Sequence, residues 1–295
     1  MLGMSQIQCR SGDDEAVPMG RSRVTIPASE RPVVLTIAGF DPSSGAGVTA
    51  DLKVFAAHRL YGLAAITALT VQSTQGVRRF HTVNPRFLAE TLECLAEDVE
   101  ISGVKIGMLG RAEIVSAVSH FLADSGIPRE CIVLDPVIRS SSGRTLLDSQ
   151  GLDLLQSELL PLAGWVTPNL SELAELAASE VSGRESVPVA ARVLAAAHPG
   201  LNVVVTGGHL APPDDFLLAS TSEEHWFPGR KIRTAATHGT GCTFSSALLA
   251  QLVSGSPSAE AVAGAKKYVR AAMEAAYPVG KGRGPLNHLY RLDEL

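Results

Sequence analysis

The stretch VVLTIAGFDPSSGAGVTADLKVFAAHRL, residues 33–60, decides the fold. Its first seven residues are almost all apolar or β-branched, as expected of a strand buried on both faces. A glycine-rich turn follows, GFDPSSGAG from Gly39 to Gly47, and VTADLKVFAAHRL then places apolar residues at helical spacing. A second apolar run, LAAITALTVQ, starts at Leu63. Strand, turn, helix and strand make the unit from which parallel sheets are built.

The alternation continues outward. An amphipathic stretch runs from Pro85 to Glu100, a buried-looking VKIGM strand covers 104–108, a helix is expected from about Ala112 to Asp124, and CIVLDPV fills 131–137. GWVTPN at 164–169, a helix opened by Ser171, another from about Val187 to Ala197 and the apolar run NVVVTGG at 202–208 keep the rhythm. Between Asp214 and Pro228 two short apolar segments flank a polar STSEE tip, which reads as a hairpin at the sheet edge and as the one break in the pattern. The last quarter is helical: a THGTGC turn leads into a small-residue helix, and a second helix follows from about Ser258 to Tyr277. The expected class is therefore α/β, with a mostly parallel central sheet, helices on both faces and a short antiparallel edge hairpin. One domain is expected over 31–295, after a loose extension at 1–30 without an apolar stretch long enough for a signal peptide or membrane span.

Composition narrows the chemistry. A chain of 295 residues with 45% hydrophobic and 19% charged content can bury a core unaided. Its net charge of -5 argues against nucleic-acid or anionic-lipid surfaces, so any phosphate site must be local. The four cysteines, at 9, 94, 131 and 242, show no CxxC spacing, and the last three read as buried free thiols in a reducing, cytoplasmic setting.

Three sets of residues carry chemistry. In THGTGCTFSSALLA (237–250) a glycine-rich turn opens a helix whose first turn is uncharged. Such a turn aims free N–H groups and the positive end of the helix dipole at one point, which suits a phosphate oxygen, and Cys242 there would have a lowered pKa. The bland alternative is a glycine-rich connection with a buried cysteine. The earlier turn holds Gly45, Gly47 and Ala50 in a loose GxGxxG/A pattern, but it is lengthened by DPSS and the next strand ends in Val71-Gln72 with no acid for a ribose, which counts against a dehydrogenase. No GxxxxGK[ST] occurs, so a P-loop is excluded. Asp135 of DPV, and Asn169 with Glu172 of TPNLSE, follow two different strands at the ligand-binding end of a parallel sheet. Asn169 and Glu172 can hold a hydrated magnesium ion or can simply cap a helix.

AGFDPSSGAG, ITALTVQSTQGV, VKIGML, DPV, TPNLSE, VVVTGGHL, HGTGCTFSSAL and GKGRGPLNH together resemble, in order and spacing, the hydroxymethylpyrimidine and phosphomethylpyrimidine kinases of the ribokinase superfamily, from Val33 to His288. The resemblance implies a ribokinase-like fold, ATP with Mg2+ as cofactors, a small pyrimidine substrate and a homodimer. It implies an anion hole at Gly239, Thr240 and Gly241 with Cys242 as base. Ala46, Asp51, Gln72, Met108 and Val137 would surround the pyrimidine. Asn169, Thr206 and Gly208 would border the nucleotide, and Glu172 and Asp135 the metal. A side-chain amide such as that of Gln72 can match the amino group and adjacent ring nitrogen of an aminopyrimidine. Phe40, Thr49 and Thr206 depart from the family pattern, which has a small hydroxyl residue, glutamine and lysine there. A pyridoxal kinase of the same superfamily is the nearest alternative.

Overall fold

The computed structural model describes residues 31–140 and 143–293; the expected extension at 1–30 lies outside the described residues. Nine strands form one sheet in the order β3-β2-β1-β4-β5-β6-β7-β8-β9. The parallel centre comprises β2 (Tyr61–Ser73), β1 (Val33–Phe40), β4 (Gly103–Ile106), β5 (Ile132–Leu134), β6 (Trp165–Val166) and β7 (Asn202–Val205). At one edge β8 (Asp215–Leu218) and β9 (Glu224–Phe227) add antiparallel strands, as the sequence led us to expect. At the other edge β3 (Gly76–Thr82) pairs antiparallel with β2, a second break in the alternation that the sequence reading missed. Its signal was weak because RRFHT is mostly exposed and polar, so no two-residue apolar period marks it.

Side chains alternate across the sheet and divide the core into two layers. Leu35, Ile37, Ile132, Leu134, Val166, Val203 and Val205 face a cluster shared with α2 (Pro85–Asp98), α3 (Ala112–Asp124), α5 (Leu170–Leu176) and α6 (Ser186–Ala197). Val34, Val133, Trp165, Val204 and Leu217 point the other way, onto α1 (Gly47–Ala57), α7 (Thr240–Val253) and α8 (Ser258–Glu274). This double burial explains why the central strands read as continuous apolar runs. A short helix, α4 (Ser149–Leu154), continues through a π turn at Leu155–Leu159; neither was foreseen.

Chain order reverses at β1: β2 lies on one side of it and β4 on the other. Open α/β sheets bind ligands in the crevice that such a reversal leaves at the carboxyl ends of the strands. The segments leaving β1, β2, β4, β5, β6 and β7 at that end are the ones the sequence singled out.

Candidate active site

The two glycine-rich turns meet. Gly239 adopts φ +84°, and a Cβ there would lie 1.8 Å from the Gly45 carbonyl oxygen, so the position admits only glycine. The first turn is organised by Asp41, whose carboxylate accepts from Ser43 N at 2.8 Å, Ser43 Oγ at 2.7 Å, Gly45 N at 3.2 Å and Ala46 N at 3.0 Å. His238 Nε2, at 2.7 Å, completes the set. Burial works against the Asp41 charge, but hydrogen bonds from His238 and Ser43 and the nearby imidazole hold its carboxyl below the ordinary value. Lys53 on α1 donates to Ser44 O at 2.8 Å and closes the turn from its other side. Ala46 is the N-cap of α1 and sits at the rim. Thr49 bonds back to the Ala46 carbonyl at 3.0 Å, and Phe40 continues β1 beside Leu69 of β2.

The second turn behaves differently. Gly239 caps α7, and the first backbone bond within that helix runs from Thr243 N to Gly239 O, which leaves the N–H groups of Thr240, Gly241 and Cys242 without an acceptor inside the helix. Gly241 is exposed, and Thr240 and Cys242 on either side of it are half-buried. Beneath them lies a crowd of buried charge. Lys105 Nζ contacts both oxygens of Asp51, at 2.9 and 3.1 Å, and Asp51 also accepts from Thr36 Oγ1 at 2.6 Å and Ser246 Oγ at 2.8 Å. Asp51, expected beside the substrate, is thus sealed at 0% exposure and ties α1, β1, β4 and α7 together instead. Burial works against the charge on Lys105, yet Asp51 above all, with Cys242 and Asp135, keeps its pKa raised.

Cys242 corrects an expectation. Burial pushes its thiol up to about 12, with Asp135 and Asp51 adding to the rise, and Lys105 and the Gly47 N–H only partly offset this. Dehydration is the largest of these effects. Asp135 accepts from Ser245 Oγ at 3.3 Å, and Ser245 and the nearby Cys242 offset part of the rise that burial imposes on it. Cys94, expected to be buried, is exposed on α2.

Asp135 stands just beyond β5 and Glu172 in the first turn of α5. Asn169 Oδ1 accepts from Ser171 N at 2.9 Å and Glu172 N at 3.0 Å, while Glu172 Oε2 accepts from Asn169 N at 3.0 Å: a complete capping box. The capping role therefore holds for both residues. Burial, then the neighbouring Asp135, raises Glu172 to about 8, and burial chiefly raises Asp135 as well. Among the described residues no group of three or more His, Cys, Asp or Glu side chains is arranged around a metal position. A buried carboxylate raised by a second one beside it is nevertheless a setting that favours a cation, and Mg2+ commonly takes one or two carboxylates plus phosphate oxygens and waters. Thr206 bridges to Asn169 across the ends of β7 and β6. Gly208, two residues on, has open space around its Cα.

On the other flank, Met108 packs with Ala68, Leu146, Phe80 and Val137 in a small apolar cluster of its own, so Met108 and Val137 come together as one wall. Gln72 lies at a bulge between Val71 and Gln72, a feature that re-aims side chains, and its amide reaches to 3.0 Å from His238 Nε2. A cleft of ≈450 Å³ bounded by Ser73, Gln75, Val77, Arg78 and Arg144 adjoins this strand end rather than the exposed α7 turn. The residues that sequence reading missed are Asp41, Lys105 and His238. A lone lysine inside an apolar strand demands a partner and was the signal available for Lys105.

A family model described as phosphomethylpyrimidine kinase matches residues 41–287, which takes in both turns, the apolar wall and the capping box. The chain belongs to the phosphomethylpyrimidine kinase family. It is 40% identical over 260 residues to a hydroxymethylpyrimidine/phosphomethylpyrimidine kinase of Haemophilus influenzae, covering 86% of this chain and 96% of that protein. It is also 40% identical over 263 residues to a bifunctional thiamine biosynthesis protein of Geobacter sulfurreducens, which covers 89% of this chain while this chain spans only 53% of that longer protein. Among solved structures, a phosphomethylpyrimidine kinase of Clostridium difficile matches with a TM-score of 0.72 at 32% identity, over 81% of this chain and 98% of that one. A pyridoxal kinase of Bacillus subtilis, solved with ADP, matches with a TM-score of 0.79 at 28% identity, over 89% and 99%. The same fold is thus found in kinases named for two different heterocycles.

Proposed function

We propose that this phosphomethylpyrimidine kinase family member transfers the γ-phosphoryl group of ATP to the hydroxymethyl group of 4-amino-5-hydroxymethyl-2-methylpyrimidine, and then to the resulting monophosphate, on the route to thiamin. The observation that carries the reading is the N-terminus of α7 at Gly239–Cys242, which has no side-chain cap and packs directly against the turn at 39–47, with His238 beside it in contact with both Asp41 and Gln72. Three backbone N–H groups and a helix dipole there oppose the charge that builds on a transferring phosphoryl group. Met108 and Val137 supply a flat apolar wall for the ring, and the Gln72 amide supplies the polar match.

The nucleotide phosphates would lie between the α7 turn and the Asn169, Thr206 and Gly208 segments. Glu172 and Asp135 are the residues that would hold Mg2+, which when bound neutralises phosphate charge. Phosphoryl transfer of this kind depends mostly on positioning and charge stabilisation. Burial pushes the Cys242 thiol up to about 12, so its part is to complete the turn rather than to act as a ready base. The acceptor for the second transfer is a phosphate with a second pKa of about 6, already ionised at neutral pH.

Identity of 40% to a named pyrimidine kinase favours the pyrimidine over pyridoxal. A coupled assay of ADP release, offering the pyrimidine alcohol, its monophosphate and pyridoxal in parallel, tests the reading. Turnover of both pyrimidines is expected; turnover of pyridoxal alone overturns it. The same reading carries a homodimer in a cytoplasmic setting. No helix among the described residues is long and apolar enough to cross a membrane, and sedimentation of the purified chain reads the assembly.

A further inference from the structure

His238 Nε2 lies 2.7 Å from Asp41 Oδ2 and 3.0 Å from the side-chain nitrogen of Gln72. One imidazole nitrogen carries at most one hydrogen. Asp41, its pKa lowered and its oxygens already accepting from four N–H and O–H groups of its own turn at 2.8 Å, 2.7 Å, 3.2 Å and 3.0 Å, is the carboxylate that takes that hydrogen. Nε2 is therefore a donor. A donor NH2 of Gln72 facing it makes no bond, whereas half a turn about the last torsion of Gln72 brings the amide oxygen there and lets one N–H serve two acceptors.

We propose that His238 is a specificity-determining residue that holds the Gln72 amide with its oxygen toward the imidazole, so that the amide offers oxygen and NH2 to the substrate ring in one fixed order. This rests on the pyrimidine reading above. An amide oxygen has two lone pairs, so the one not used by His238 stays beside the NH2 in the same plane. The open edge complements an exocyclic amino group next to an unprotonated ring nitrogen. The reversed edge complements a carbonyl next to a ring N–H, the pattern of the 4-oxo counterpart. A glutamine free to rotate reads both; one held by His238 meets the oxo compound with donor on donor and acceptor on acceptor.

The imidazole is itself clamped. A Cβ on Gly45 would come 2.5 Å from His238 Cδ2, and the His238 backbone is tied to Gly284 O at 3.1 Å. Because His238 directly precedes Gly239, the residue that orders the ring-reading amide is one peptide bond from the turn that receives the phosphoryl group.

The test compares kcat/KM for 4-amino- and 4-oxo-5-hydroxymethyl-2-methylpyrimidine in wild type, His238→Phe and His238→Gln. Wild type is expected to favour the amino compound by about 100-fold or more. His238→Phe, which fills the volume without a donor, should shrink that ratio by about tenfold or more, chiefly through KM, and His238→Gln, which keeps an N–H donor, should restore most of it. If His238→Phe does not fold, His238→Asn, polar but too short to reach Gln72, takes its place with the same expectation. Both substrates slowed alike with an unchanged ratio would leave His238 a purely structural role and overturn the proposal, as would a wild type that does not separate the two compounds. Turnover of pyridoxal with neither pyrimidine accepted would instead defeat the pyrimidine reading, and the proposal with it.

Discussion

In the turn at 39–47 the backbone N–H groups of Ser43, Gly45 and Ala46 end on the Asp41 carboxylate. In the turn at 237–242 the N–H groups of Thr240, Gly241 and Cys242 find no acceptor within their helix. Both turns are rich in glycine, and both lead into a helix at the carboxyl end of the sheet. The first has supplied its own anion, while the second leaves room for one. Glycine content marks where backbone comes close; the destination of the N–H groups decides whether a ligand is wanted.

The comparison breaks most severely at Asp41. Asp41→Ala strips the first turn of its internal anion and leaves His238 without its partner, so urea unfolding should show a loss of at least about 3 kcal/mol, with kcat/KM falling below detection. Added phosphate should recover part of the stability if the vacated N–H groups then bind an anion, which would make the two turns alike. Next comes Gly239→Ala, whose Cβ has no room beside Gly45 O; about 2 kcal/mol of destabilisation and a kcat loss of about 100-fold are expected. Gly208→Ala, with nothing near its Cα, should change stability by no more than about 0.5 kcal/mol.

A smaller effect sharpens the role of the second turn. Cys242→Ala leaves the backbone donors in place, so kcat should fall by a similar factor, about tenfold, for the pyrimidine alcohol and for its monophosphate. A loss confined to the alcohol would show that Cys242 works as a base once substrates are bound. Smallest of all is a pH effect. Glu172 titrates at about 8 in the folded chain against an ordinary 4.5, so the folded state binds more protons across that window and stability falls as pH rises through it. His288 acts in the opposite sense: burial lowers it to about 4 from 6.5, so stability falls as pH drops from 6.5 toward 4. Thermal melts of wild type and Glu172→Gln from pH 5 to 8.5 should differ in slope between about pH 5 and 8, wild type losing stability as pH rises, and run parallel above 8.

Much of this was legible beforehand. The apolar runs at 33–38 and 202–205 gave the parallel strands, and Asn169 with Glu172 announced a helix start that is indeed a capping box. The strand β3 was not legible, because an exposed edge carries arginines and no apolar alternation. In the site, the α7 turn stood out by type and position, while Gln72 and Met108 were marked by the family resemblance. What stayed hidden depended on contacts distant in sequence. The pairing of Asp51 with Lys105 spans 54 residues and that of Asp41 with His238 spans 197. The Cys242 thiol misled for the same reason: its helix-terminal position could be read in the sequence, but the carboxylates of Asp51 and Asp135 that face it could not.

The decisive measurement is a crystal structure of the protein grown with ADP, Mg2+ and aluminium fluoride, a stand-in for the phosphoryl group in flight. The account predicts the fluoride anion within hydrogen-bonding distance of the N–H groups of Gly241 and Cys242, with Asp41 still bound to its own turn. An anion seated instead on Gly45 and Ala46, with Asp41 displaced, would contradict it.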